Sequence, residues 1–139
     1  MKKNSRTSVA IHSVLHLSMM DRPVTSEELG QCQNTNPVMI RRILGDLKKA
    51  EIVDSEKGHG GGWILLKSPK AITFQDIFMA LNDSLLPSPI ELDEGENCLI
   101  MKEICSTMDE FLDEAEILLA KKLSKITIQS LINQIPKTN

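Results

Sequence analysis

Residues 38–49 hold two kinds of chemistry on one short segment. Ile40, Ile43, Leu44 and Leu47 fall on one helical face at about 100° per residue, while Val38, Arg41, Arg42, Gly45, Lys48 and Lys49 take the rest. Guanidinium groups presented on a helix can donate paired hydrogen bonds to the guanine edge in the major groove, and any cation there neutralises phosphate. A second cluster follows at Lys57-Gly58-His59-Gly60-Gly61-Gly62-Trp63. It sets a cation among glycines, which permit positive φ and close approach to a phosphate or a groove floor. The run matches neither a P-loop, which needs Gly-Lys-Ser/Thr opening a helix, nor the GxGxxG of a dinucleotide fold. His59 reads as an exposed tip residue rather than a catalytic base, and no clustered nucleophile, base and orienting partner stands out. Cys32, Cys98 and Cys105 are an odd number without paired spacing, which suits a reducing compartment. Their plainer reading is as small apolar residues.

These groups need elements to hold them. From Ser5 to Met20, Ile11, Val14, Leu15 and Met19 recur at helical spacing, and Asp21-Arg22-Pro23 ends the pattern. Thr25 with Glu28 three residues later predicts a capping box opening a short helix to about Cys32. Asn36-Pro37 predicts a third helix to about Ala50, because the Asn side chain accepts orphan amide protons and Pro fits the first helical position. Ile52–Glu56 and Gly62–Leu66 read as strands joined by the glycine tip. Thr73 and Asp76 cap a fourth helix through Leu81, and Thr127 caps a last short one. Between them Ile104, Met108, Phe111, Leu112, Ala115, Leu118 and Leu119 trace a long amphipathic helix to about Leu123.

The expected fold is therefore mainly α with a small β-hairpin: a winged helix-turn-helix domain over residues 1–82, an acidic loop over 83–97 and dimerisation helices over 98–139. At 139 residues, with 41% hydrophobic and 25% charged residues, one core is the natural solution, and disorder throughout is excluded. Aromatic residues make up only 3% of the chain, which argues against modules that stack single-stranded bases on aromatic platforms. No apolar run approaches the roughly 20 residues a bilayer span needs, and no signal-peptide core follows Lys2 and Lys3, so a cytoplasmic protein is expected. Charge is divided unevenly. Residues 1–70 carry 11 Lys and Arg against 7 Asp and Glu, a balance of +4, whereas 71–139 carry 5 against 12, a balance of −7. The first half can meet phosphate; the second would be repelled by it.

Several stretches together resemble the bacterial Rrf-two family of transcription regulators. They are Arg6 with the helix after it, Thr35-Asn36-Pro37-Val38 through Leu47-Lys48-Lys49-Ala50, the Lys57–Trp63 run, Ile72-Thr73-Phe74-Gln75-Asp76-Ile77 and the closing Lys125-Ile126-Thr127-Ile128. The resemblance covers nearly the whole chain. It implies a homodimer joined by the long helix that binds palindromic double-stranded DNA and usually represses. By the same resemblance Asn36, Val38, Arg41 and Arg42 begin the recognition helix, Lys57, Gly58 and His59 form the wing that enters the minor groove, and Arg6 touches phosphate. Arg41 stands where one branch of the family has an acidic base reader, so operator preference should differ.

The family's sensor commonly holds an iron–sulfur cluster through three clustered Cys before the long helix. Here that region has only Cys98 and Cys105, seven residues apart. The chain is in this respect closest to the CymR-like members without a cluster, and no cofactor or metal is expected; these two thiols remain candidates for redox sensing. The long helix carries more apolar surface than one winged-helix core can cover, which predicts a dimer interface at Met108, Phe111, Leu112, Ala115, Leu118 and Leu119. An alternative function is a winged-helix protein-interaction module acting through its acidic helical half, with a regulatory protein as partner.

Overall fold

Ser5 opens the first helix by accepting a hydrogen bond from the Ser8 amide at 3.2 Å, and α1 runs from Arg6 to Met19. Thr25 does the same for α2 (Ser26–Gln33), and Asn36 caps α3 (Pro37–Lys49) through a 2.8 Å bond from the Val38 amide to its Oδ1. The hairpin follows as β1 (Val53–Glu56) and β2 (Gly62–Leu65), antiparallel, with Val53 opposite Leu65 and Glu56 opposite Gly62. A short 3₁₀ turn at Pro69–Ala71 leads to α4 (Phe74–Ala80), whose Thr73–Asp76 capping box is complete in both directions. After the acidic loop come α5 (Leu99–Leu123) and α6 (Ile128–Gln134). The computed structural model describes residues 1–137.

One core joins these elements. Val9, Val14, Leu29, Ile40, Leu44, Leu47, Ile52, Ile72 and Ile77 are buried together, drawn from α1, α2, α3, α4 and the approaches to the hairpin. All four apolar residues of the α3 face are buried, which turns the opposite face of that helix outward. At roughly 1.5–3 kcal/mol for each large aliphatic side chain removed from water, this packing is what fixes α3. Among the described residues no helix is long and apolar enough to cross a membrane.

Four details depart from the sequence reading. Glu28 commits its carboxylate first to Arg22, in a two-pronged ion pair at 3.0 and 3.2 Å, and only secondarily to the Thr25 backbone of the α2 cap; together these hold its pKa below the usual value. Val24 joins the hairpin through a single bridge, exchanging backbone bonds with Trp63 at 2.8 and 3.1 Å. The long helix begins at Leu99, earlier than the Ile104 of the periodic pattern. Finally, α6 does not extend with α5. A bridge between Thr73 and Thr127 turns it back, so that Ile128 is buried in the winged-helix core. The described part of the expected dimerisation segment, 98–137, therefore divides between two environments, and residues 138–139 lie outside the described residues.

Candidate nucleic-acid interface

The turn between α2 and α3 sets the angle of the outward face. Asn34 ends α2 in the left-handed conformation and the Thr35 amide returns to the Gly30 carbonyl at 2.8 Å. Gly30 is required there, since a Cβ would lie 2.6 Å from the Thr35 carbonyl oxygen. On the face this presents, Val38, Arg41 and Arg42 are exposed, with Gly45 and Lys49 one and two turns further on. A Cβ built on Gly45 meets nothing within 4 Å, so no internal contact demands glycine at that position.

The cations on this face are not equivalent. Arg41 pairs with Glu27 of α2 across an exposed surface, while among the described residues Arg42 makes no ion pair. An exposed pair is worth at most about 1 kcal/mol, less than the roughly 1–3 kcal/mol of a good bidentate base contact, so Arg41 can exchange Glu27 for a base edge. Lys48 serves a different end: its Nζ donates to Ser55 Oγ at 3.0 Å and lies 3.4 Å from Asp54, tying α3 to β1. The Asp54 carboxyl is held below its ordinary pKa first by the Ser55 amide and then by Lys48. Asn36 is partly committed as well, because its Oδ1 accepts the capping bond from the Val38 amide.

Arg6 stands apart from the other expected contacts. It pairs with Asp46 at 2.6 Å and reaches the Leu81 carbonyl at 3.3 Å, joining α1 to α3 and to the end of α4. Its first role is therefore to brace α3, and a phosphate contact would have to compete with Asp46.

The wing is anchored at its base and open at its tip. Trp63 Nε1 donates to the buried Ser26 Oγ at 3.0 Å, locking β2 to the first turn of α2. Gly62 makes this approach possible: its φ is +155° and a Cβ would meet the Val24 backbone at 2.7 Å. Lys57, Gly58 and His59 are exposed at the tip, on the same hairpin that Lys48 ties to α3.

Along α5 the apolar residues separate into two stripes. Cys105, Leu112 and Leu123 are buried against the chain's own body, whereas Leu99, Ile100, Ile104, Phe111, Ile117 and Leu118 are exposed. Leu112 is thus already covered within one chain, which corrects its assignment to the partner-facing surface. Met108, Ala115 and Leu119 lie half-buried between the stripes. Cys98 is the exposed N-cap residue, and its amide donates to Glu96 Oε1 at 2.9 Å.

The structure also gathers residues that the sequence reading did not connect. His12, His16 and Cys32 bring their ligand atoms within 4.8 Å of one another. The spacing of four between the two His was a visible signal for one helical face, but Cys32 is brought in only by the packing of α2 on α1.

Comparison with known proteins places this geometry. Residues 3–134 match the Rrf2 family, described as an iron-dependent transcriptional regulator. YwnA of Bacillus subtilis, described as a candidate HTH-type transcriptional regulator, is 30% identical over 132 residues, spanning 95% of this chain and 98% of its own. A crystal structure described as that of a candidate DNA-binding protein is 30% identical, with a TM-score of 0.74 over 92% of this chain and 99% of the other. CymR, the global cysteine regulator of Bacillus subtilis, shares the fold at a TM-score of 0.70 and 21% identity over 98% of this chain and 99% of its own.

The iron in the family's description finds no matching cluster site at the start of α5. A cluster held by protein ligands takes four, and that region supplies two thiols, one exposed on the cap and one buried with its Sγ 3.9 Å from the Ile90 carbonyl. From the cap to the second helical turn their Cα atoms are roughly 10 Å apart along the axis, which also excludes a disulfide between them. The donors do not fit a cluster within one chain. With its matched length, its helix-turn-helix and its wing, the chain belongs to the Rrf2 family of transcriptional regulators.

Proposed function

We propose that this DNA-binding regulator works as a homodimer on a palindromic operator and represses transcription in the cytoplasm. The observation that carries the reading is the exposed face of Val38, Arg41 and Arg42 beside an exposed Lys57-Gly58-His59 tip, both braced from the core side. In this reading α3 enters the major groove with its N-terminal residues at the base edges, and the wing tip follows the backbone into the neighbouring minor groove. Residues 1–82 with α6 form the DNA-binding unit, and the exposed stripe of α5 pairs with its counterpart. Two-fold symmetry then requires half-sites about one helical turn, or a multiple of it, apart. Cys98 and Cys105 have no part in DNA contact. Any redox response acts through thiol modification or a bridge between subunits, for which exposed Cys98 is the accessible group.

Selection of bound sites from random duplex DNA by the full chain tests this directly. A palindromic consensus with a steep salt dependence supports the reading. Failure to enrich any sequence, together with salt-insensitive duplex binding, favours a protein-interaction module working through the acidic surface around α5.

A further inference from the structure

The His12, His16 and Cys32 cluster lies outside the DNA-facing surface and outside the cysteine region before α5. His12 and His16 are four apart on α1, which places both imidazoles on one side of the helix. Cys32 sits in the last turn of α2, and its Sγ is 3.6 Å from His12 Nε2. A tetrahedral ion with Zn–N near 2.05 Å and Zn–S near 2.3 Å sets its nitrogen and sulfur ligands about 3.6 Å apart. The observed pair already has that separation, and the whole trio spans no more than 4.8 Å, within reach of small side-chain rotations.

We propose that His12, His16 and Cys32 form a binding site for a single borderline-soft divalent metal ion of the Zn²⁺ class. Two imidazoles and one thiolate are a donor set suited to such an ion, whereas Mg²⁺ and Ca²⁺ prefer oxygen ligands. Three protein ligands leave a fourth position. The trio lines a cavity of about 680 Å³ whose other walls include Ile11, Leu15, Met19 and Met20, giving a water or small exogenous ligand room to complete the tetrahedron. On binding, the Cys32 thiol releases its proton to solvent and the sulfur lone pair forms the metal bond. The ion would then pin the last turn of α2, next to the turn that orients α3, onto α1.

Reduced full-length protein, freed of metal and kept anaerobic, is titrated with Zn²⁺ against a chromophoric chelator and separately with Co²⁺. The expected result is one ion per chain and a thiolate-to-cobalt charge-transfer band. Loss of a ligand's outer-shell partner alone typically costs 10- to 100-fold, so Cys32→Ser and His16→Gln should each weaken binding by more than about 100-fold. Cys32→Ser should also abolish the charge-transfer band. A Cys98→Ser/Cys105→Ser variant should keep both stoichiometry and spectrum. Thermal unfolding without metal verifies that each variant folds, and added Zn²⁺ should raise the midpoint of the parent but not of Cys32→Ser. Sub-stoichiometric binding, a site that survives Cys32→Ser, or one lost with Cys98 and Cys105 would each overturn the proposal.

Discussion

Helices α3 and α5 treat their apolar residues in opposite ways. In α3, Ile40, Ile43, Leu44 and Leu47 are buried within the chain, and the exposed residues are Val38 and the cations Arg41, Arg42, Lys48 and Lys49. In α5, a helix of 25 residues, only Cys105, Leu112 and Leu123 are buried, while six large apolar side chains face outward among acidic neighbours. The first helix buries its apolar face in one chain and leaves cations on its outer face. The second leaves an apolar stripe that one chain cannot cover, the pattern of a surface made for a lasting partner. Substitutions on the two helices should therefore separate stability, assembly and DNA binding.

The largest effect is expected where α3 meets the core. Leu47→Ala removes a fully buried side chain and should cost about 2–5 kcal/mol in chemical unfolding, through lost transfer energy and the cavity left behind. A cost below 1 kcal/mol would mean that α3 is held mainly by its caps. Leu118→Asp comes next, because Leu118 is 56% exposed in one chain and contributes little to that chain's own fold. It should weaken dimerisation by about 2 kcal/mol or more, roughly thirtyfold, and weaken DNA binding with it. Sedimentation of wild type and variant side by side reads this out. A wild-type protein that sediments as a monomer at micromolar concentration would remove the dimer from the reading.

Much of this division was legible in the sequence because it depends on local rules. Asn36-Pro37 marks the start of α3, the apolar spacing marks its buried face, and Thr73 with Asp76 marks α4, since caps and periodicity are written within a few residues of each other. What escaped depends on packing between distant segments. Val24 pairs with Trp63 as a single bridge, too short for any strand period. Ile128 returns to a core whose other residues all come from before position 82, and Leu112 carries the same apolar signal whether it faces its own chain or another. Glu28 turns first to Arg22, six residues before it, because a guanidinium is a stronger partner than a backbone amide. The candidate DNA-facing residues were legible as types, but their existing commitments were not. Arg6 to Asp46, Arg41 to Glu27 and Lys48 to Ser55 are all set by neighbouring elements.

Two substitutions on the cationic surface sharpen the difference between reading and holding. Arg41→Ala should cost about 1–3 kcal/mol in specific binding and relax preference at the contacted base pair, while unfolding stability changes little because its pair with Glu27 is exposed. Unchanged affinity and discrimination would move the reading role to Arg42. Lys57→Ala removes one charge from the wing tip and should weaken binding to all duplexes alike. The slope of log affinity against log salt should fall by about 0.9. A sequence-selective loss instead would make the wing a base reader.

The smallest change, Gly45→Ala, tests whether DNA itself reaches the α3 backbone. Glycine inside a helix costs up to about 1 kcal/mol relative to alanine, and an added Cβ here meets no atom within 4 Å, so the folded chain gains nothing from its absence. The variant should therefore be more stable in chemical unfolding by about 0.5–1 kcal/mol. If the groove floor or a phosphate packs against the helix at this turn, the same methyl should lower DNA affinity, so that stability and binding move in opposite directions. Val38, Arg41 and Arg42 lie toward the N-terminus of the same face, which puts Gly45 at the edge of the expected contact rather than at its centre. A variant that gains stability and keeps full affinity would confine the DNA contact to the first two turns of α3.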